Sequence, residues 1–292
     1  MLRIKARAKV NLFLEVTRRR PDGFHELATL FARTGVCDTL TLRRGAPGIK
    51  LSVKGGPKEL GRAEDNIVHK AAVRFFETFR IAPSAEFKLE KRIPVGAGLG
   101  GGSSDAAAAL LGLAKLYRVP RAGFPKLMKI AAAIGSDVAF FLLDETFAEG
   151  RGRGEKLKVL KASGRLPYLV LLYPGAPVYT KEVYGRLKLG SAAGIKSRVS
   201  DFKKLCRLLK AGKFGQDASG LLFNRLEEPV LPRHKAVRRA REKLAALGAD
   251  AVLMSGSGAT VFALCRDRAK ARKIAAAAGR IKGYRVFLTK FS

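Results

Sequence analysis

Eleven residues, Pro94-Val-Gly-Ala-Gly-Leu-Gly-Gly-Gly-Ser-Ser104, hold the densest chemistry in the chain. Five glycines (Gly96, Gly98, Gly100, Gly101, Gly102) leave Pro94, Val95, Ala97 and Leu99 as the only side chains before Ser103. Backbone stripped in this way can close its N–H groups on a ligand. The alanine- and leucine-rich stretch Ser104–Tyr117 reads as a helix, so Ser103, Ser104 and Asp105 fall at its N-terminus. Unpaired N–H groups and the helix dipole favour an anion there, and a phosphate chain is the natural occupant. A flexible linker is the plain alternative, but linkers seldom sit so tightly between a regular strand and an alanine-rich helix.

The string alone does not say whose phosphate is bound. Gly96, Gly98 and Gly101 satisfy the GxGxxG spacing of dinucleotide-binding folds. Those folds need a buried parallel strand before the glycines and an acid about 20 residues on. Here the preceding strand, Ala85–Ile93, is charged on one face, Pro94 interrupts it, and Tyr117–Arg121 offers no acid. No Gly-Lys-Ser or Gly-Lys-Thr follows, which excludes a P-loop, and the signatures of a protein kinase are missing.

Three further residue types could do chemistry. Asp137, in Gly135-Ser-Asp-Val138, could accept the proton of an attacking hydroxyl. Taken by itself it is as readily a helix cap or a surface acid. Lys9, in an early strand, is by itself a solvated lysine, and His25, one of three histidines, is by itself structural. Ser255-Gly-Ser-Gly258 makes a second glycine turn, either closing on the first or simply joining two strands. No cluster of His, Cys and carboxylates stands at metal-ligand spacing.

The elements that must position these residues alternate between strand and helix periods. Leu2–Ala8 and Val10–Val16 read as strands, with a Pro-Asp-Gly turn at 21–23, and Asp38–Arg43 and Ile49–Val53 alternate again. Asp65–Phe79 and Phe124–Ile134 have helical apolar spacing. A basic, glycine-rich stretch, Gly150–Gly164, divides the chain, so two domains are expected, 1–160 and 161–292. In the second half, Leu166–Tyr173, Ala251–Met254, Val261–Leu264 and Gly283–Phe291 read as strands, and Lys203–Lys210 and Lys235–Leu247 as helices; Ser191–Gly220 carries little signal otherwise. No apolar run approaches the roughly 18 residues of a membrane helix. Three well-separated cysteines without a CxxC pair suit a reducing compartment, and the cytoplasm is expected.

With 57 Lys and Arg against 24 Asp and Glu, the chain carries a formal charge of +33. Such a charge would serve a nucleic-acid binder by displacing counterions, or an enzyme by speeding capture of anionic ligands. The basic residues are scattered, in Arg18–Arg20, Lys88–Arg92, Arg151–Lys161, Lys203–Lys210 and Arg238–Lys243, without interleaved aromatics. Neither nucleic acid nor membrane is therefore an expected partner.

The glycine loop resembles the central motif of the GHMP small-molecule kinases. The resemblance extends to Lys9–Leu14, Arg20–Glu26, Asn66–Val68, Gly135–Val138, Arg151–Glu155, Asn224–Glu228 and Met254–Thr260, in order along about 250 positions. It implies an α/β (α+β) two-domain fold with the active-site cleft between the domains. It also implies an ATP-dependent kinase of a small alcohol, acting as a monomer or weak homodimer. Asp137 then resembles the catalytic base, with Lys9 pairing with it and offsetting phosphoryl charge. Pro94 to Ser104 would hold the triphosphate, with Asn66 and Lys91 near the adenine. The Lys9–Leu14 and Arg20–Glu26 blocks resemble members whose substrate bears cytidine. On that basis Asn11, Phe24, His25, Thr180 and Tyr184 would contact the substrate, with Phe24 standing where relatives commonly have Tyr. Homoserine and mevalonate kinases are the rival readings within the family, and a non-catalytic nucleic-acid binder on the same fold is the rival outside it. No protein metal site is implied; Mg²⁺ would come with ATP, on its phosphate oxygens and Ser104.

Overall fold

The computed structural model describes residues 1–56 and 62–292, apart from the side chains of residues 216 and 217. The strands are β1 (Leu2–Arg19), β2 (His25–Arg43), β3 (Gly48–Lys54), β4 (Ser84–Glu90), β5 (Phe147–Arg151), β6 (Lys156–Leu160), β7 (Tyr168–Tyr173), β8 (Phe223–Asn224), β9 (Ala251–Met254), β10 (Val261–Cys265) and β11 (Arg285–Thr289). The helices are α1 (Ile67–Phe79), α2 (Gly101–Leu116), α3 (Phe124–Ile134), α4 (Val138–Leu142), α5 (Thr180–Gly185), α6 (Ala192–Lys210), α7 (Phe214–Asp217), α8 (Glu227–Val230), α9 (Lys235–Ala246) and α10 (Arg268–Gly279). The class is mixed α/β, as expected.

The chain forms two compact units that interleave along the sequence. One comprises Met1–Ala8, Val36–Val95 and Gly100–Asp144; the other comprises Lys9–Gly35, Gly96–Leu99 and Glu145–Ser292. Strands β1 and β2 each lend a segment to both, so these units are not two successive halves of the chain.

In the first unit β3 runs parallel to β4, from Gly48 beside Ser84 to Lys54 beside Glu90, and β4 runs antiparallel to β2. Parallel neighbours need a crossover, which α1 supplies. Asn66 caps α1 by accepting from the Val68 N–H at 2.9 Å, and the helix ends at Arg80 in the left-handed region. Its buried face is Val68, Ala71, Ala72, Phe75 and Phe76, the i, i+3, i+4, i+7, i+8 pattern of a core-facing stripe. Helix α2 packs between α1 and α4, buried from Ser104 to Leu110. A Cβ on its Gly112 would meet Leu42 at 2.8 Å and Ile4 at 2.9 Å, so glycine lets the helix settle on the strands.

In the second unit β11, β7, β10 and β9 form an antiparallel sheet in that order. Leu169 to Leu172 of β7 are fully buried, which explains a continuous apolar run instead of alternation. Helices α9 and α10 pack against this sheet. Also in this unit, Phe13 and Leu14 of β1 pair in parallel with Phe223 and Asn224, and β2 pairs antiparallel with β5.

Several expectations shift. Leu2–Ala8 and Val10–Val16 are one strand, because Ala8 to Val16 are buried without interruption and the alternation that marks a boundary is lost. Strand β2 starts at His25, well before Asp38. The stretch read as a connector is the β5–β6 hairpin, with Gly152 and Gly154 at φ +68° and +110° in its turn. Helix α6 begins eleven residues before Lys203, at Ala192, capped by Ser191 on Gly194 N.

Candidate active site

The first unit holds the end of the glycine stretch. Helix α2 begins at Gly101 behind Gly100, whose φ of +67° is a left-handed entry that glycine adopts freely. The helix therefore starts three residues before the Ser104 start read from sequence. Ser104 already donates its N–H to Gly100 O at 2.9 Å and its side chain is buried. The anion-accepting amides of this terminus are thus those of Gly101, Gly102 and Ser103.

Beneath this helix start lies a buried charge cluster. The Lys91 ammonium donates to Asp38 and, at 2.6 Å, to Asp105. Asp38 also accepts from the Arg92 N–H and, at 2.8 Å, from the Ile93 N–H, so it fixes the chain just before Pro94. A Cβ on Gly101 would lie 3.4 Å from Lys91 Nζ. Lys91, expected near the adenine, is thus held by two carboxylates under the start of α2. Two carboxylates share one ammonium in a desolvated site, and burial with Asp38 nearby pushes the Asp105 carboxyl up to about 8 despite Lys91. Its folded pKa is raised, so the stability it contributes is full below the unfolded value and is lost as pH rises towards 8. Asp105→Asn, which imitates the protonated acid, should gain in Tm over the native protein between pH 5 and 8 and level off above. Thermal unfolding across that range checks this; a difference independent of pH would refute it.

Asp137 stands at the N-cap of α4 with helical backbone, and its side chain does not cap the helix. The bend before it, at Gly135, lies beside the start of α2: a Cβ built there would be 4.0 Å from Ser103 Oγ. The sequence-assigned acid thus sits on a loop flanking the anion-accepting helix end.

The second unit holds Lys9 and the rest of the glycine stretch. Lys9 is only 4% exposed, and its Nζ donates to Asn11 Oδ1 at 2.6 Å and lies 5.5 Å from the Phe31 ring centre. Asn11 Nδ2 donates to Thr29 Oγ1 at 2.8 Å, and Thr29 donates to Phe13 O at 2.7 Å. Asn11, expected at the substrate, is buried and orients the lysine. The Lys9 N–H is bonded to Leu99 O, which ties the strand to the loop.

Gly96 to Leu99 interlock with the second glycine turn. Ser255 Oγ donates to Gly98 O at 2.9 Å and the Thr260 N–H to Ala97 O at 3.0 Å. A Cβ on Gly98 would fall 2.1 Å from Ser255 O and 2.7 Å from Gly258 O. The bareness of Gly98 serves contact between two protein loops, a use that sequence reading had assigned to the ligand. Val178 N donates to Gly96 O, and a Cβ on Gly96 would meet Pro177.

The same unit carries the aromatic residues. The rings of His25 and Tyr184 lie 5.1 Å apart at 33°. Burial, followed by Arg19, holds the His25 imidazole below its ordinary pKa and therefore neutral at physiological pH. Phe24 is half exposed, with the Arg153 guanidinium 4.7 Å above its ring. Tyr184 is thus matched with His25, and Phe24 with Arg153 from the β5–β6 turn. Thr180 and Ser257 share a 2.8 Å hydrogen bond between hydroxyls.

Sequence reasoning missed Asp38, Thr29 and Arg153, whereas Ser255–Gly258 closes on the first glycine turn, the first of its two readings. Short polar residues inside apolar strands, such as Asp38 and Thr29, were the available signal.

Among the described residues, no group of three or more His, Cys, Asp or Glu side chains could hold a metal ion, and no helix is long and apolar enough to cross a membrane. Family models described as GHMP kinases N terminal domain and GHMP kinases C terminal match residues 66–145 and 198–285. The chain is similar to the 4-diphosphocytidyl-2-C-methyl-D-erythritol kinase of Pelotomaculum thermopropionicum, 40% identical over 93% of this chain and 91% of that one. It is 36% identical to the protein of the same name from Syntrophus aciditrophicus, over 99% of each. A crystal structure of 4-(cytidine 5'-diphospho)-2C-methyl-D-erythritol kinase matches with a TM-score of 0.78 and 34% identity, over 100% of both chains.

Proposed function

Because the chain belongs to the GHMP kinase family and, within it, to the 4-diphosphocytidyl-2-C-methyl-D-erythritol kinases, we propose that it moves the γ-phosphoryl group of ATP to the 2-hydroxyl of 4-diphosphocytidyl-2-C-methyl-D-erythritol. The products are ADP and the 2-phosphate, a step of the non-mevalonate route to isoprenoid precursors. The observation that carries this reading is the anion-accepting start of α2 with the Asp137 loop beside it, Gly135 against Ser103.

Asp137 draws the proton from the attacking hydroxyl, and Lys9, fixed by Asn11, offsets negative charge on the transferring group. The amides of Gly101, Gly102 and Ser103 hold the triphosphate, whose Mg²⁺ enters with the nucleotide as part of the substrate. Asn66 and Lys91 serve the nucleotide half through the helix starts they fix. Neutral His25 with Tyr184, Phe24 and Thr180 supply the cytosine contacts; a base stacked on an aromatic gains about 1–3 kcal/mol, enough to select it. We assign nucleotide binding chiefly to residues 1–160, and to 161–292 the part in substrate binding played by Thr180 and Tyr184, in a cytoplasmic enzyme active as a monomer or weak homodimer.

The decisive experiment measures ADP release over a panel of alcohols with MgATP. Turnover is expected with 4-diphosphocytidyl-2-C-methyl-D-erythritol, and at least about 1,000-fold lower kcat/KM with homoserine or mevalonate, which leave the base-binding groups unpaired. Preference for an acceptor without cytidine would overturn the assignment.

A further inference from the structure

Asn224, at the end of β8, commits its whole side chain to nearby backbone. It is 2% exposed; its amide hydrogens go to the carbonyls of Met254 and Gly256, both at 2.8 Å, and its Oδ1 accepts from the Leu226 N–H at 3.0 Å. Three residues on, Glu227 Oε1 accepts from the Met254 N–H at 2.8 Å, with Arg241 Nε 3.4 Å from the same oxygen. One short segment therefore holds the N–H and C=O of Met254 and the C=O of Gly256. Burial, the first cause, raises the Glu227 carboxyl above its ordinary value. The oxygen it offers Met254 accepts a hydrogen bond whether or not the group is ionised.

The other end of the segment is anchored on the strand that bears Lys9. Asn224 pairs with Leu14 of β1, and the Arg225 N–H donates to Leu14 O at 2.8 Å. The Arg225 guanidinium grips buried Glu15 of the same strand at 2.8 and 2.7 Å and also bonds Glu228. What the segment holds is the turn against the catalytic lysine. A Cβ on Gly256 (φ +54°) would be 3.3 Å from both Lys9 Nζ and Asn11 Oδ1 and 3.2 Å from Gly98 O.

We propose that Asn224 and Glu227 are positioning residues, forming a bracket that holds the Ser255–Gly258 turn at fixed spacing from Lys9, Asn11 and Gly98. The bracket touches no reacting atom. It sets where the lysine ammonium and the glycine loop stand, and its effect on turnover rests on the kinase reading. Misplacement by about 1 Å can cost on the order of 100-fold in rate, so the bracket bears on kcat although it lies outside the chemistry.

The test compares the native enzyme with Asn224→Asp, Glu227→Ala and Glu227→Gln. Asn224→Asp keeps the shape but turns both donors into acceptors facing carbonyls. Glu227→Ala removes the acceptor for Met254, and Glu227→Gln keeps one. Amide hydrogen exchange is followed at Ser255, Gly258 and Thr260, and kcat is normalised to active sites by the stoichiometry of ATP binding. Asn224→Asp and Glu227→Ala should exchange about tenfold faster at these amides. Their kcat should fall about 10- to 100-fold, with KM for both substrates within about threefold. Glu227→Gln should restore both readouts. If Asn224→Asp does not fold, the two Glu227 variants decide the matter alone. Unchanged exchange, or a loss confined to the fraction of active sites, would overturn the proposal. Faster exchange with no turnover even by the native enzyme would overturn the kinase reading and leave the bracket supported.

Discussion

Asp137→Asn is expected to lower kcat by about 100-fold or more, some 2.7 kcal/mol in the barrier, with fold and ATP affinity unchanged. The amide has the volume of the carboxylate but cannot take up the proton of the attacking hydroxyl. Because the Asp137 side chain does not cap α4, its replacement takes no hydrogen bond from that helix terminus. The loop keeps its place through the Val138 N–H on Gly135 O and the Phe141 N–H on Asp137 O. Steady-state kinetics with ATP binding measured separately checks the result. An Asp137→Asn enzyme with near-normal kcat would remove this residue from the mechanism and leave only positioning and charge.

Gly98→Ala should be nearly as damaging by another route. At φ +72° an L-residue is strained, and the added methyl would fall 2.1 Å from Ser255 O, far inside van der Waals contact. Backbone cannot swing away as a side-chain tip can, so the two glycine turns must part. Strain and overpacking together should cost about 3 kcal/mol or more, seen as a Tm lower by about 5 °C or more. The displaced loop should also cut kcat/KM for ATP by about 100-fold. Thermal unfolding and ADP release measure the two effects; native values for both would show that the turns separate at no cost.

The legible parts of the chain are those where one physical signal acted alone. The apolar spacing over Asp65–Phe79 overshoots the start of α1 by two residues and meets its end, and Phe124–Ile134 has its observed limits. The glycine stretch marks the turn into α2 because few other demands produce such a composition. Where two demands overlapped, the reading failed. Glycine serves a helix start at Gly101 and a loop interlock at Gly98, and spacing cannot separate them. In β1, Leu2 to Ala8 alternate in exposure and read as a strand, whereas the buried stretch after Ala8 hid its continuity. Lys91 was assigned by position in a motif, but Asp38, more than fifty residues earlier, decides where its charge goes. Pairings of that span become visible only when strands are laid beside one another.

The unbroken burial from Ala8 to Val16 also bears on how this chain can drift. A surface strand leaves every second position open to neutral replacement, but here neither face does. Lys9, Asn11 and Glu15 are committed within it to partners of their own. Replacements are better borne on exposed positions such as Arg239, Lys243, Arg272 and Lys273 of α9 and α10. Such surface positions carry part of the +33 charge and can change without disturbing the buried strand that holds Lys9.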